Sequence, residues 1–201
     1  MGFLTKYYIL TFLLGMSGYT STTKVNEVWI IKSSSSLEVD GSTNINNFSC
    51  KIHSYNQTDT LYFSPKDKTL KHIKVDGKLK INVADFDCKH KVMTKDLQKT
   101  LQAQKYPYMI VKFLNFSDMP SSPISNSLTT GDVEIELAGV KKTFQVQYAI
   151  HKTNHQNIEL IGTRDVNFSD FNLKPPSKLG GTIKVKNELQ VEFKLQLKKN
   201  I

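Results

Sequence analysis

Cysteine is scarce in this chain. It has two, Cys50 and Cys88, which excludes a disulfide-dense miniprotein and any four-cysteine zinc site. Ten glycines and six prolines among 201 residues exclude collagen-like and low-complexity architectures. A membrane-spanning helix needs about 20 consecutive apolar residues. The apolar run Tyr7-Tyr8-Ile9-Leu10-Thr11-Phe12-Leu13-Leu14-Gly15 reaches only about half that. Acidic residues are the minority, 18 against 27 Lys+Arg, for a formal charge of +9. No G-x-S-x-G, H-E-x-x-H, P-loop or G-x-G-x-x-G sequence occurs, so the common signatures of hydrolase, zincin and nucleotide chemistry are missing.

An apolar fraction of 39% with 22% charged residues describes a foldable globular chain rather than a disordered one. At the start, Lys6 precedes the apolar run, and Ser17, Gly18, Thr20, Ser21 and Thr22 follow it. A basic start, a short apolar core and small residues fit a secretory signal peptide over residues 1–22, cut between Ser17 and Thr22. Its removal takes one lysine and no acid, leaving 26 − 18 = +8. The expected location is the periplasm or outside the cell. Residues 23–201 contain loop punctuation such as Ser33-Ser34-Ser35-Ser36 and Lys174-Pro175-Pro176-Ser177, but no linker and no repeat, so one domain is expected.

Period two dominates this domain. Ile183, Val185, Leu189, Val191, Phe193, Leu195 and Leu197 hold odd positions, while lysine, glutamate and glutamine fill the even ones from Lys184 to Lys198. Successive strand side chains point to opposite faces, so this segment has one dry and one wet face. Ile73–Val83, Val133–Leu137 and Phe144–Ile150 repeat the pattern. Shorter strands are expected at Val28–Lys32, Leu37–Asp40, Thr43–His53, Thr60–Phe63, Tyr108–Phe116 and Asn157–Thr163. Met93, Leu97 and Leu101 recur every four residues after Thr94, a candidate N-cap, and before Tyr106-Pro107, which predicts one amphipathic helix near Thr94–Gln104. The fold class is therefore all-β: an extended antiparallel barrel of about eight strands with one short helix.

Several fragments, in order, carry a family resemblance. They are Trp29-Ile30-Ile31; Ser36-Leu37-Glu38-Val39-Asp40-Gly41-Ser42-Thr43-Asn44 with Phe48-Ser49-Cys50; and Phe86-Asp87-Cys88 with Met93, Asp96-Leu97 and Leu101 before Lys105-Tyr106-Pro107. Gly131-Asp132-Val133-Glu134-Ile135 and Leu137-Ala138-Gly139-Val140-Lys141-Lys142 follow, then Asp170-Phe171-Asn172-Leu173-Lys174-Pro175-Pro176 and Gly181-Thr182-Ile183-Lys184-Val185. In this order and spacing the chain resembles the YceI-like family of exported, lipocalin-like proteins. The resemblance implies a barrel enclosing an apolar tunnel for a polyisoprenoid or similar lipid, and a bacterial cell-envelope location. One departure is Asn172, where the family usually has glycine; asparagine tolerates a positive φ better than most residues.

The apolar stripes are core by default. With the resemblance they become candidate lining for a ligand: Val75, Leu79, Ile81, Val83, Ile135, Val146, Tyr148, Leu189, Val191, Phe193 and Leu195. The Tyr148 hydroxyl serves either a lipid head group or, more simply, the backbone. Cys50 and Cys88 most simply form one disulfide in an exported protein; His53 and His90 open a Cys₂His₂ metal site as the rival. His72, His151 and His155 lie among polar neighbours and read as surface residues, and Asp165 and Asp170, which flank Phe168, do not make a glycosidase pair. Asn47-Phe48-Ser49 and three similar triplets match a glycan acceptor pattern that chance explains in a bacterial chain. Lysines alternating singly with acids do not form a nucleic-acid stripe, whereas an anionic membrane surface fits the charge. The expected function is a non-catalytic carrier of a long apolar lipid, with no cofactor and no metal. The alternative is a filled barrel serving as a structural or protein-interaction module of the envelope.

Overall fold

The computed structural model describes residues 27–65, 69, 71–118 and 126–200. The expected signal segment lies outside the described residues. The chain runs through β1 (Glu27–Ile31), β2 (Ser36–Thr43), β3 (Asn47–Ile52), β4 (Thr60–Phe63) and β5 (Ile73–Asn82) to α1 (Lys91–Thr100), the one α-helix among the described residues. It continues with β6 (Tyr108–Phe116), β7 (Asn126–Leu137), β8 (Val140–Lys152), β9 (Asn157–Asn167), the two-residue β10 (Ser177–Lys178) and the long β11 (Ile183–Asn200). Every strand pairing is antiparallel.

Strands β1, β4, β5, β6, β7, β8, β9 and β11 form a closed ring of eight, sealed where β1 pairs with the end of β11. Toward the start of β11 the same edge is taken by β2, which carries β3 as its hairpin partner. The barrel therefore has two unlike ends. At the far end the ring is complete. At the helix end the β2–β3 hairpin is tied across to the segment after β5 by a bridge between Lys51 and Asp87 and by the Cys50–Cys88 disulfide. Helix α1 follows at once and lies over that end, with Leu97 and Leu101 buried and Met93 packed against the core.

The period-two reading places the inner faces well. Phe144, Val146, Tyr148 and Ile150 are all buried, as are Leu189, Phe193, Leu195 and Leu197 on β11. The expected spans Thr60–Phe63 and Tyr108–Phe116 match β4 and β6. The helix is shifted. It begins at Lys91 with His90 in the cap position, and Thr94 is not its cap. The Thr94 hydroxyl instead accepts the Cys88 backbone N–H at 3.0 Å, so tertiary anchoring of the disulfide loop won over local capping. Asn172 adopts φ 57° and closes the 3₁₀ turn Phe168–Phe171, so the turn survives without glycine.

Candidate functional site

The interior divides into two unequal halves. Around the far end Phe63, Phe113, Phe116 and Tyr148 are fully buried and pack across the axis, with Phe116 and Tyr148 centroids 4.6 Å apart. Phe193 meets Tyr148 edge-on at 5.8 Å and Phe113 at 6.3 Å, completing an aromatic block. This half is filled. Toward the helix end a cavity of about 80 Å³ remains beneath α1. Leu97 and Leu101 form its roof. Its walls come from Leu37 and Val39 on β2, Met109 and Val111 on β6, Ile135 and Leu137 on β7, Val146 on β8, Arg164 and Val166 on β9, and Leu189, Val191 and Phe193 on β11, with Phe86 and Phe171 from the turns. A second space of about 20 Å³, touching Leu79, Ile81 and Leu195, lies beyond Phe193 and Leu37, which line both.

The expected lining residues therefore separate. Ile135, Val146, Leu189, Val191 and Phe193 meet at the larger cavity, and Leu79, Ile81 and Leu195 at the smaller one. Val75, Val83 and Tyr148 are buried in packing and line neither. Val83 lies in a 3₁₀ turn beyond the end of β5, so the strand parity stops one residue before it. Among the described residues the buried Tyr148 hydroxyl has no hydrogen-bond partner, backbone or side chain, and burial pushes its pKa upward.

Outside the roof runs a groove of about 260 Å³ between α1 and the β2–β3 hairpin. Ile45, Phe48, Val92, Met93, Ile183 and Val185 give it an apolar surface, and Lys178 ion-pairs with Asp96 at 2.7 Å across its edge. Leu97 lines both groove and cavity, so its side chain stands between the interior and the surface here.

The disulfide expected from compartment logic is present, with Cα atoms 3.9 Å apart, and it removes both thiols from the Cys₂His₂ alternative. Among the described residues no group of three or more His, Cys, Asp or Glu is placed to hold a metal ion. His72 and His155 are exposed and His151 is half-buried. Asp170 accepts the Asn167 backbone N–H at 2.8 Å, a capping role that leaves it no part in a carboxylate pair. Sequence reasoning overlooked Arg164. The signal was available, because Ile158, Leu160, Gly162, Arg164 and Val166 share one strand parity and the arginine interrupts an otherwise apolar face.

Comparison with solved structures gives the same barrel. A polyisoprenoid binding domain from Saccharophagus degradans implicated in plant cell wall breakdown superposes with a TM-score of 0.62 at 13% identity, covering 86% of this chain and 98% of that one. BcnA of Burkholderia cenocepacia gives 0.58 at 16% identity, covering 81% and 95%. The YceI protein of Campylobacter jejuni gives 0.51 at 12% identity, covering 100% and 92%. At such identities the likeness shows the fold alone. No curated protein sequence matches the chain. The family model of the YceI-like domain matches residues 20–197, nearly the whole described barrel, and the chain belongs to the YceI-like family.

Proposed function

We propose that this protein is a non-catalytic carrier of a long apolar lipid, of the polyisoprenoid or isoprenoid-quinone kind, acting in the bacterial cell envelope after export. The observation that carries the reading is the cavity beneath α1, whose accessible wall is apolar and which shares Leu97 with the surface groove. A relative of the same fold is described as a polyisoprenoid binding domain, which supports the same class of cargo. The expected signal segment and the disulfide support export.

Transfer of a chain from water contributes about 0.8 kcal/mol per buried CH₂. At about 80 Å³ the cavity is smaller than the roughly 300–1,000 Å³ usual for ligand sites, so loading displaces the side chains at its ends, Leu97 and Phe193. The open groove gives the displaced Leu97 an apolar surface to move into. Ile45 (66% exposed) and Val92 (55% exposed) flank that groove, and exposed Lys89, Lys91 and Lys95 surround Val92, a composition suited to an anionic membrane surface.

The deciding experiment is gentle purification, organic extraction and mass spectrometry of the extract, followed by uptake of a polyprenol and an isoprenoid quinone by the extracted protein. A long-chain lipid in the extract, or saturable uptake near one per protein, is the expected result. An empty extract with no uptake overturns the carrier reading. The aromatic block across the far end favours, in that case, the second reading of a filled barrel serving as a structural or interaction module.

A further inference from the structure

Of the 27 basic residues in the chain, 26 are lysine; Arg164 is the single arginine. Along β11 Lys184, Lys186, Lys194 and Lys198 alternate with the apolar face, and Lys91, Lys95 and Lys99 lie exposed on α1. Arg164 instead has the inward parity of β9, between buried Gly162 and buried Val166, and its side chain forms part of the cavity wall.

The ladder explains how a charged group is tolerated there. Strands β8 and β9 pair from Lys152–Ile158 only as far as Gln147–Thr163. Beyond that point β8 stays with β7 up to Leu137–Val140, while β9 stays with β11 up to Asn167–Glu188. The two strands therefore part company at the helix end and leave a seam in the barrel wall. Phe144 of β8 and Phe171 of the following turn fill the seam, their centroids 5.9 Å apart, and the Arg164 guanidinium lies over the Phe144 ring at 5.7 Å. The cavity surface has no polar part, so Arg164 presents its methylenes inward, and the residue as a whole is exposed. Its guanidinium forms no ion pair or hydrogen bond among the described residues; the ring contact is its one partner.

We infer that Arg164 is the head-group anchor of the lipid site and that the cargo is an amphiphile with an anionic head, a carboxylate or a phosphate. The inference rests on the carrier reading and narrows it. An apolar chain beneath α1 places its head at the seam, where a planar guanidinium pairs two oxygens side by side. Lysine, a compact and strongly hydrated charge, neither stacks on Phe144 in the same way nor offers that fork. Alternation turns the neighbouring Thr163 and Asp165 to the outer face, so no carboxylate on the same face of β9 competes for the guanidinium.

The test uses the purified chain with its disulfide intact and four probes titrated by calorimetry below their micelle thresholds. These are oleic acid, oleyl alcohol, geranylgeranyl phosphate and geranylgeraniol. The charged member of at least one pair is expected to bind about tenfold more tightly than its alcohol, by an amount that shrinks with added salt. Arg164→Gln is expected to bring that ratio close to one by weakening the charged member far more than its alcohol, and Arg164→Lys to keep part of it. Preference confined to oleic acid identifies a carboxylate head, and preference confined to geranylgeranyl phosphate a phosphate head. A wild-type chain that does not discriminate, or discriminates without salt dependence, overturns the inference and leaves the carrier reading standing; so does an unchanged ratio in Arg164→Gln. Should Arg164→Gln fail to fold, the salt dependence and Arg164→Lys still decide. Failure of all four probes to bind overturns the carrier reading and the inference with it.

Discussion

The ring of Phe193 on β11 lies across Gly162 on β9: a Cβ at position 162 would stand 2.3 Å from the Phe193 ring tip. Gly162 is the register partner of Phe193 on one side and of Tyr148 on the other, so the missing side chain makes room for the aromatic contact that divides the barrel. Gly162→Ala is therefore expected to overpack this point and cost about 1–3 kcal/mol. A lower denaturant midpoint with unchanged slope is the measurement. Adding Phe193→Leu is expected to recover part of the loss, because the smaller side chain vacates the space. Additive losses in the double variant would show that the ring is not the obstacle.

That contact also marks where sequence reading stops. Parity alone identifies the inner face of β11 and of β8, because alternation is a local property of each strand. Whether inward rings meet across the axis depends on register between strands far apart in the chain, and on glycines such as Gly162 whose effect is felt only by a neighbour. The separation of Tyr148, which packs, from Val146, which lines the cavity, is invisible at that level. Arg164 shows the reverse failure: its parity is plain in the sequence, but its seat depends on β8 and β9 parting at Gln147–Thr163.

The disulfide joins β3 to the segment leading into α1 across a separation of 38 residues. Closing a loop of that size stabilises by about 2–4 kcal/mol in the chain-entropy picture. For a protein of this length each kcal/mol moves the melting temperature by about 2–4 °C. Reduction, or Cys50→Ser with Cys88→Ser, is expected to lower Tm by roughly 10 °C. Hydrogen exchange should rise first in β3 and α1, the elements the bond holds together, whereas uniform acceleration would contradict a local staple.

On the wet face, Glu38 of β2 bonds Lys51 of β3 at 2.7 Å and accepts the Ser49 hydroxyl at 2.7 Å. The Lys51 contact, and then that of Ser49, hold its carboxyl below the usual value of 4.5. A carboxyl lowered in the folded state binds fewer protons there than when unfolded. Its stabilising contribution is thus fully present above 4.5 and is lost as pH falls through the folded value. Glu38→Gln is expected to melt below the wild type at pH 7, with the gap narrowing as the medium is acidified below 4.5. The pair is partly exposed, so the gap should also shrink in high salt. A gap that stays the same as the medium is acidified would show that the contact acts through packing and not through charge.

The groove rim supplies a separate prediction about where the proposed carrier meets a membrane. Among the described residues six large apolar side chains are conspicuously exposed, and three of them, Ile45, Val92 and Leu179, cluster at the helix end. Ile45 and Val92 line the groove directly, and Leu179 follows Lys178, which does so as well. Full burial of such a side chain contributes about 1.5–3 kcal/mol, so partial insertion of two still amounts to a tenfold effect or more. Ile45→Glu with Val92→Glu is expected to weaken sedimentation with phosphatidylglycerol vesicles by about tenfold, since both apolar burial and charge attraction are lost. Uptake of a lipid delivered from solution should fall far less, because neither side chain lines the inner cavity. Equal vesicle binding by variant and wild type would move the membrane contact elsewhere. Loss of both vesicle binding and solution uptake would mean that the groove belongs to the lipid site and is not only the face that approaches the bilayer.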